Sequence, residues 1–235
     1  MKILAIDTAT NSCSVGIAAS GPEFPKTAPE ILAESTIVTR QTHSRHLMGM
    51  VRAVLEMSGL TISELDGFAV TRGPGSFTGL RIGISTVKGF AAASGKPLAG
   101  VSSLDALAFQ LSFSPGLICC LMDARKKEVY CSSYRFEYGF LKKKTEEQVL
   151  SPGRAIAGIR EPCLFVGNGA FLYQQMITEQ LGESASFAQP CHNTIRASAV
   201  ASLGMERFQN NDTDDVTMFV PRYIRKSEAE LSLGV

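Results

Sequence analysis

An apolar run that ends in an aspartate occurs twice in this chain, and no other feature constrains its folding as much. Ile3-Leu4-Ala5-Ile6 runs into Asp7, and Ile118-Cys119-Cys120-Leu121-Met122 runs into Asp123. A polar turn follows each, Thr8-Ala9-Thr10-Asn11 in the first copy, and then a returning strand-like stretch, Ser12 to Ala19 or Glu128 to Phe136. Short apolar runs bounded by turn residues read as buried strands, so each copy opens with a hairpin. Residue-level similarity between the copies is weak, yet two versions of one α/β unit account most simply for the order.

Between the copies, strands and helices alternate. Residues 21–30 (GPEFPKTAPE) form a Pro-punctuated loop, Ile31 to Thr39 reads as a third strand, and a helix runs from about Ser44 to Met57 before Gly59. A strand at 66–71 enters Arg72-Gly73-Pro74-Gly75, after which Ser76 can cap a helix that stops at Gly95. Pro97 to Val101 and a helix over 103–111 complete this half. In the second half, Cys163 to Val166 runs into Gly167-Asn168-Gly169 and a helix, as 66–71 ran into its own glycine turn. Val216 to Arg225 reads as a last short strand or an extended arm, with Pro221 at an edge. The class is α/β, with lobes at 1–110 and 111–235.

Composition excludes several functions. With 45% hydrophobic and 19% charged residues the chain can bury a core, and a net charge of +1 rules out broad phosphate neutralisation. Nucleic acid, if touched, is touched locally. No export signal or transmembrane helix is read, and the six cysteines, with no Cys-x-x-Cys, read as reduced thiols, so a cytoplasmic location away from membranes is expected.

Several residues could carry chemistry. His43 and His46, three apart at a helix start, can share a face and a divalent metal, or can simply be polar helix-start residues. The segment RGPGSFTGLR is the best anion candidate, because a glycine turn feeding a helix start presents free N–H groups at a positive dipole end. Arg72, Gly73, Gly75, Ser76 and Gly79 would form it, with Arg81 adding charge; a tight turn with a serine cap fits equally. Gly167 and Gly169 offer a weaker second loop. Asp7 and Asp123 could serve as metal-binding or base carboxylates, or could bond only to local turns. The runs Arg125-Lys126-Lys127 and Lys142-Lys143-Lys144 read as solvated hairpin turns.

The first two helices are more apolar than one sheet requires. In 44–58 the charges Arg45, Arg52 and Glu56 occupy a narrow stripe, and Leu, Met and Val wrap the rest. In 76–94 one side carries Leu80, Ile84, Val87 and Ala91, and another carries Gly79, Gly83, Thr86 and Phe90, small enough in part for close backbone approach. An interface between chains is therefore expected on Leu47, Met50, Val51 and Val54 of the first helix and Leu80, Gly83, Ile84 and Val87 of the second.

The stretches ILAIDTATNSCSVGIA, THSRHLM, GFAVTRGPGSFTGLRIGISTVKGFA, GKPLAGVSSLDALA, DARKKEVY, VLSP, VGNGA and PRYIR together resemble the TsaB (YeaZ) family over nearly the whole chain. The resemblance implies an actin-like ATPase (ASKHA) fold of two duplicated lobes, each a mixed sheet flanked by helices. It also implies a non-catalytic subunit of the system that forms N6-threonylcarbamoyladenosine at position 37 of tRNA. Such a subunit dimerises with and activates TsaD, helps recruit TsaE, forms a homodimer when TsaD is absent, and meets tRNA through the complex. The paralogue TsaD carries two metal-binding histidines, and Ser103 and Leu107 align with them here. Leucine cannot bind metal, so no metal or catalytic residues are expected. No tightly bound cofactor is expected either, although ATP or ADP at a partner interface is compatible. The alternatives are a glycoprotease-like metallopeptidase, a sugar-kinase-like phosphotransferase using Asp7 and the glycine turn, or a nucleotide-sensing module.

Overall fold

A computed structural model describes residues 1–23, 28–39 and 41–225, so the loop at 21–30 is seen only at its two ends. The first sheet contains β1 (Lys2–Asp7), β2 (Ser12–Ala19), β3 (Glu30–Val38), β4 (Gly67–Gly73) and β5 (Leu98–Ser102), in the order β3-β2-β1-β4-β5. The β1–β2 and β2–β3 pairs are antiparallel, whereas β1–β4 and β4–β5 are parallel. The second sheet repeats this plan with β6 (Leu117–Asp123), β7 (Val129–Glu137), β8 (Phe140–Lys144), β10 (Cys163–Val166) and β11 (Ala185–Phe187), in the order β8-β7-β6-β10-β11, and β9 (Gln148–Leu150) pairs with β7. Asp7 faces Ser14 across the first hairpin and Asp123 faces Val129 across the second, so the two aspartates occupy equivalent positions. This is the duplicated arrangement of mixed sheets expected from the repeated apolar run and aspartate.

Helices α1 (Leu47–Ser58) and α2 (Phe77–Ser94) cover one face of the first sheet. Gly59 (φ 66°) ends α1 and Gly95 (φ 69°) ends α2, both in the left-handed conformation that glycine adopts without a Cβ clash. The Ser76 hydroxyl accepts the Gly79 amide and caps α2, as expected. Against the opposite face lie α3 (Ser103–Phe109) and α7 (Ala197–Gln209), the latter a helix that the periodicity does not announce. Small residues let α7 lie close: a Cβ on Gly204 would come within 2.6 Å of the Ala69 Cβ. Because α7 covers the first sheet, residues 111–235 are not one separate lobe; the second sheet ends at Phe187 and the chain then returns.

The far face of the second sheet is covered by α4 (Pro152–Ile156), α5 (Asn168–Leu172) and α6 (Gln174–Leu181). Cys119 lies in the small core on that side and Cys120 in the main core, as alternation along a strand requires. The main core runs without a break from the first sheet through α3 to Met122 and Tyr134.

One expectation needs correction. The lysine run at 142–144 lies on β8, the turn being at Tyr138 and Gly139, and Lys144 points inward to Asp105 (2.5 Å) and Glu147 (3.1 Å). Of the two forms expected for residues 216–225, strand or extended arm, the arm is found, opening with a turn at 216–218 and preceded by a single bridge between Leu98 and Asp214. Among the described residues no helix is long and apolar enough to cross a membrane.

Candidate functional site: the cleft between the lobes and the first helix pair

A cleft of about 1310 Å³ separates the lobes. Its walls are the turn after β1 (Ala9 to Asn11), the start of α2 (Gly75 to Gly79), the turn after β6 (Met122 to Lys126), Asn168, Phe171 and Leu172 of α5, and Tyr223 and Arg225 of the arm. Asp7 is not among them. Its carboxylate is fully buried, with Oδ1 accepting from the Thr71 hydroxyl (2.8 Å) and the Ala9 amide (3.1 Å) and Oδ2 without a partner. Loss of hydration pushes this carboxyl up to about 7, outweighing those bonds. Asp123, its counterpart, does line the cleft, accepts the Arg125 amide (2.8 Å) and lies 3.4 Å from the Arg125 guanidinium. One duplicated position is sealed and the other open.

The glycine turns are shaped largely by the chain's own backbone. A Cβ would come within 2.5 Å of the Arg222 carbonyl at Gly73 (φ 119°), 2.4 Å of the Ala9 carbonyl at Gly75, and 2.1 Å of the Thr8 carbonyl at Gly79. At Gly167 (φ 108°) and Gly169 it would meet the Leu121 carbonyl at 2.3 and 2.9 Å. The amides of Ser76 and Gly167 are already bonded, to the Ala9 carbonyl (2.7 Å) and Asn193 Oδ1 (2.8 Å). Arg72 faces Asp214 at 3.6 Å, and Arg81 lies over the Phe77 ring (3.9 Å) and donates to the Tyr223 hydroxyl (3.1 Å). Gly75, Ser76 and Gly79 border the cleft, but close packing accounts for each glycine.

His43 and His46 do not converge on one point. The buried His43 bonds through Nε2 to the Thr10 carbonyl (2.8 Å), and His46 bonds to Gln41 Oε1 (2.9 Å). Among the described residues no group of three or more His, Cys, Asp or Glu side chains could hold a metal ion. Ser103 and Leu107 share one face of α3, both buried, and Leu107 packs where a Cβ on Gly167 would lie, 2.9 Å away.

The helix pair requires the largest correction. Leu47, Met50, Val51 and Val54 of α1, and Leu80, Gly83, Ile84 and Val87 of α2, are all buried within the chain itself. Gly83 admits Thr8, not a partner: a Cβ there would lie 2.3 Å from the Thr8 hydroxyl. The solvent faces carry different residues, with Met48 54% and Met57 62% exposed on α1, and Ser85, Gly89, Ala92 and Ala93 exposed on α2. Among the described residues nothing beyond the helix's own backbone lies within 4 Å of a Cβ built on Gly49 or Gly89. Periodicity missed this because both faces of each helix are apolar or small, so the pattern does not say which one meets the sheet. Phe77, Phe171, Tyr223 and Arg225 in the cleft were missed as well; only their closeness to the glycine turns or to the closing PRYIR stretch could have flagged them.

A family model described as "TsaD: tRNA N6-adenosine threonylcarbamoyltransferase" matches residues 30–233. The tRNA threonylcarbamoyladenosine biosynthesis protein TsaB of Bacillus subtilis is 32% identical over 233 residues, 98% of this chain and 96% of that protein. The chain belongs to the TsaB family. The TsaB protein of Haemophilus influenzae is 34% identical over 193 residues, 77% of this chain and 78% of that one. Among solved structures, YeaZ from Pseudomonas aeruginosa superposes with a TM-score of 0.78 at 27% identity, covering 94% of this chain and 99% of that one. That likeness to a YeaZ protein spans both lobes of the TsaB-family chain.

Proposed function

We propose that this protein acts in the formation of N6-threonylcarbamoyladenosine at position 37 of tRNA as a non-catalytic subunit, docking a TsaD-type transferase on the solvent faces of α1 and α2. The observation that carries this reading is the pair of exposed helical glycines, Gly49 in the first turn of α1 and Gly89 within α2, beside which no described residue outside the helix's own backbone comes within 4 Å of a built Cβ. Gly89 costs about 1 kcal/mol of helix propensity relative to alanine, a cost that close approach of another helix would offset. Exposed Met48 and Met57 supply adaptable apolar surface beside them. The sealed Asp7 argues in the same direction, since a carboxylate without access to the cleft cannot bind a substrate or its metal there. Activation of the transferase, recruitment of TsaE and self-association without TsaD would follow from the same surface, with tRNA met through the complex.

Mixing the chain with a TsaD-type protein tests this reading. Met48→Glu and Gly89→Arg should each weaken the heterodimer by about thirty-fold or more, equivalent to about 2 kcal/mol, with unchanged circular dichroism. Normal assembly by both variants refutes the docking face. Leu47→Glu and Gly83→Arg are unsuitable probes, because both residues belong to the core. A second reading, ATP or ADP held in the cleft, draws on Arg125 and Arg225 together with Phe77 and Phe171 on its walls. Calorimetry with each nucleotide decides it.

A further inference from the structure

The C-terminal arm is anchored on the first lobe and fastened to the second. Asp214 accepts the Gly100 amide (2.7 Å), and Lys88 donates to the carbonyls of Thr217 (3.1 Å) and Phe219 (2.9 Å). Phe219 is buried so close to Gly100 that a Cβ there would meet its ring at 2.5 Å. Further along, the Arg222 amide donates to the Arg72 carbonyl (2.7 Å) and Tyr223 stacks on Phe77 with centroids 4.9 Å apart. All these partners belong to the first lobe.

The end of the described arm then crosses. Arg222 donates to Glu147 Oε2 (3.0 Å), and Arg225 donates to the Ala124 carbonyl (2.6 Å) and lies 3.5 Å from Glu128. Ala124 and Glu128 belong to the turn that follows Asp123, and Glu147 is a buried carboxylate that also accepts from Ser102 (2.5 Å) at the end of β5. Tyr223 and Arg225 line the cleft between the two lobes. The two parts of the arm differ in how readily they can let go. Phe219 gives up an apolar burial site if it leaves, whereas Arg222, with 46% of its side-chain surface in water, can turn to solvent while Lys144 and Ser102 still hold the buried Glu147, and the Arg225 contacts lie at the rim of the cleft.

We propose that residues 221–225 form a clasp that sets the width of the cleft, with Arg222 on Glu147 and Arg225 on Ala124 as its fastenings and Phe219 as its fixed hinge post. Opening the cleft requires these guanidinium contacts to release while the arm stays on the first lobe. The contacts are all within one chain, so the proposal does not depend on the docking of any partner.

Hydrogen exchange and small-angle scattering on the isolated full chain test it, comparing wild type with Arg222→Ala/Arg225→Ala. Exchange of the Ala124 and Glu128 amides should quicken by about ten-fold or more and the radius of gyration should rise, with the interior amides of α2 unchanged. Unchanged exchange in the 124–128 turn overturns the clasp, and so does a uniform rise across both lobes, which would mean general destabilisation. If the double variant does not fold, Arg225→Ala alone is judged by the same criteria, and Arg225→Lys should recover part of the protection by keeping charge and a donor.

Discussion

Gly83 and Gly89 sit six residues apart on α2, and replacing each with alanine should move stability in opposite directions. At Gly83 the new methyl would lie 2.3 Å from Thr8 Oγ1, far inside contact distance, with Val70 Cγ2 at 3.5 Å behind it. Thr8 would have to rotate, and its hydroxyl would lose its buried bond to the Gly79 carbonyl (2.8 Å). An unmade buried hydrogen bond costs about 1–3 kcal/mol and an overpacked site about 1–3 more, against about 1 kcal/mol gained in helix propensity. The net is a loss of about 3 kcal/mol. At Gly89 only the propensity gain remains, because no described residue outside the helix's own backbone lies within 4 Å of the new methyl. For a chain of this length, about 2–4 °C per kcal/mol places Gly83→Ala roughly 6–12 °C below wild type and Gly89→Ala about 2–4 °C above it. The chain has no tryptophan, so urea and thermal melts are best followed by circular dichroism. A Gly83→Ala variant as stable as wild type would refute the inward orientation of this face.

Three further outcomes are expected. Burial raises the folded Asp7 carboxyl from 3.8 to about 7, so the unfolded chain releases its proton first as pH rises. The Asp7 contribution is therefore complete below pH about 4 and is lost as pH rises through about 7, a change on the order of 4 kcal/mol. The stability difference between wild type and Asp7→Asn should track that window in urea titrations, and a pH-independent difference would contradict it. Lys144→Met should cost about 2–3 kcal/mol, since it removes a cation from the buried Glu147, whereas Lys143→Met at an exposed position should stay within about 0.5 kcal/mol; equal effects in denaturant melts would restore the solvated-turn reading. Met57→Glu on the exposed end of α1 should lower the association rate or affinity for a TsaD-type partner with an unchanged melting temperature, read by surface plasmon resonance and scanning calorimetry.

Much of the fold was legible because its strands announce themselves in simple ways. Both hairpins, the glycines that end α1 and α2, and the Ser76 cap follow from apolar runs, turn residues and cap chemistry acting over a few positions. The return of α7 to the first sheet was not legible. Its mixture of alanine, serine and glycine gives a weak periodic signal, and its role depends on a flat surface made of Gly16 and Ala69, distant in sequence. The inward turn of Lys144 was hidden for a similar reason: Asp105 and Glu147 become its neighbours only when α3 packs against the second sheet. In the cleft, the glycine turns are legible in the sequence, but an anion loop and a tight turn remain equal readings of it. A glycine that lets a backbone approach a ligand and one that lets it approach Ala9 or Leu121 look the same in one dimension.

The two aspartates show how duplication leaves one copy free to change its task. In the second copy the strand-end carboxylate still borders the cleft and bonds its own turn at Arg125. In the first, Gly79 and Gly83 bring α2 down onto Thr8, and Asp7 is sealed beneath the turn where it accepts from Thr71 on the neighbouring parallel strand. A carboxylic acid that stays protonated to about 7 and ties β1 to β4 serves the sheet, at the expense of stability near neutrality. The same descent of α2 buries Leu80, Ile84 and Val87 and leaves Ser85, Gly89, Ala92 and Ala93 outside. The sealed Asp7 and the small outer face thus share one cause, since a helix packed this closely on Thr8 leaves its remaining small residues toward solvent.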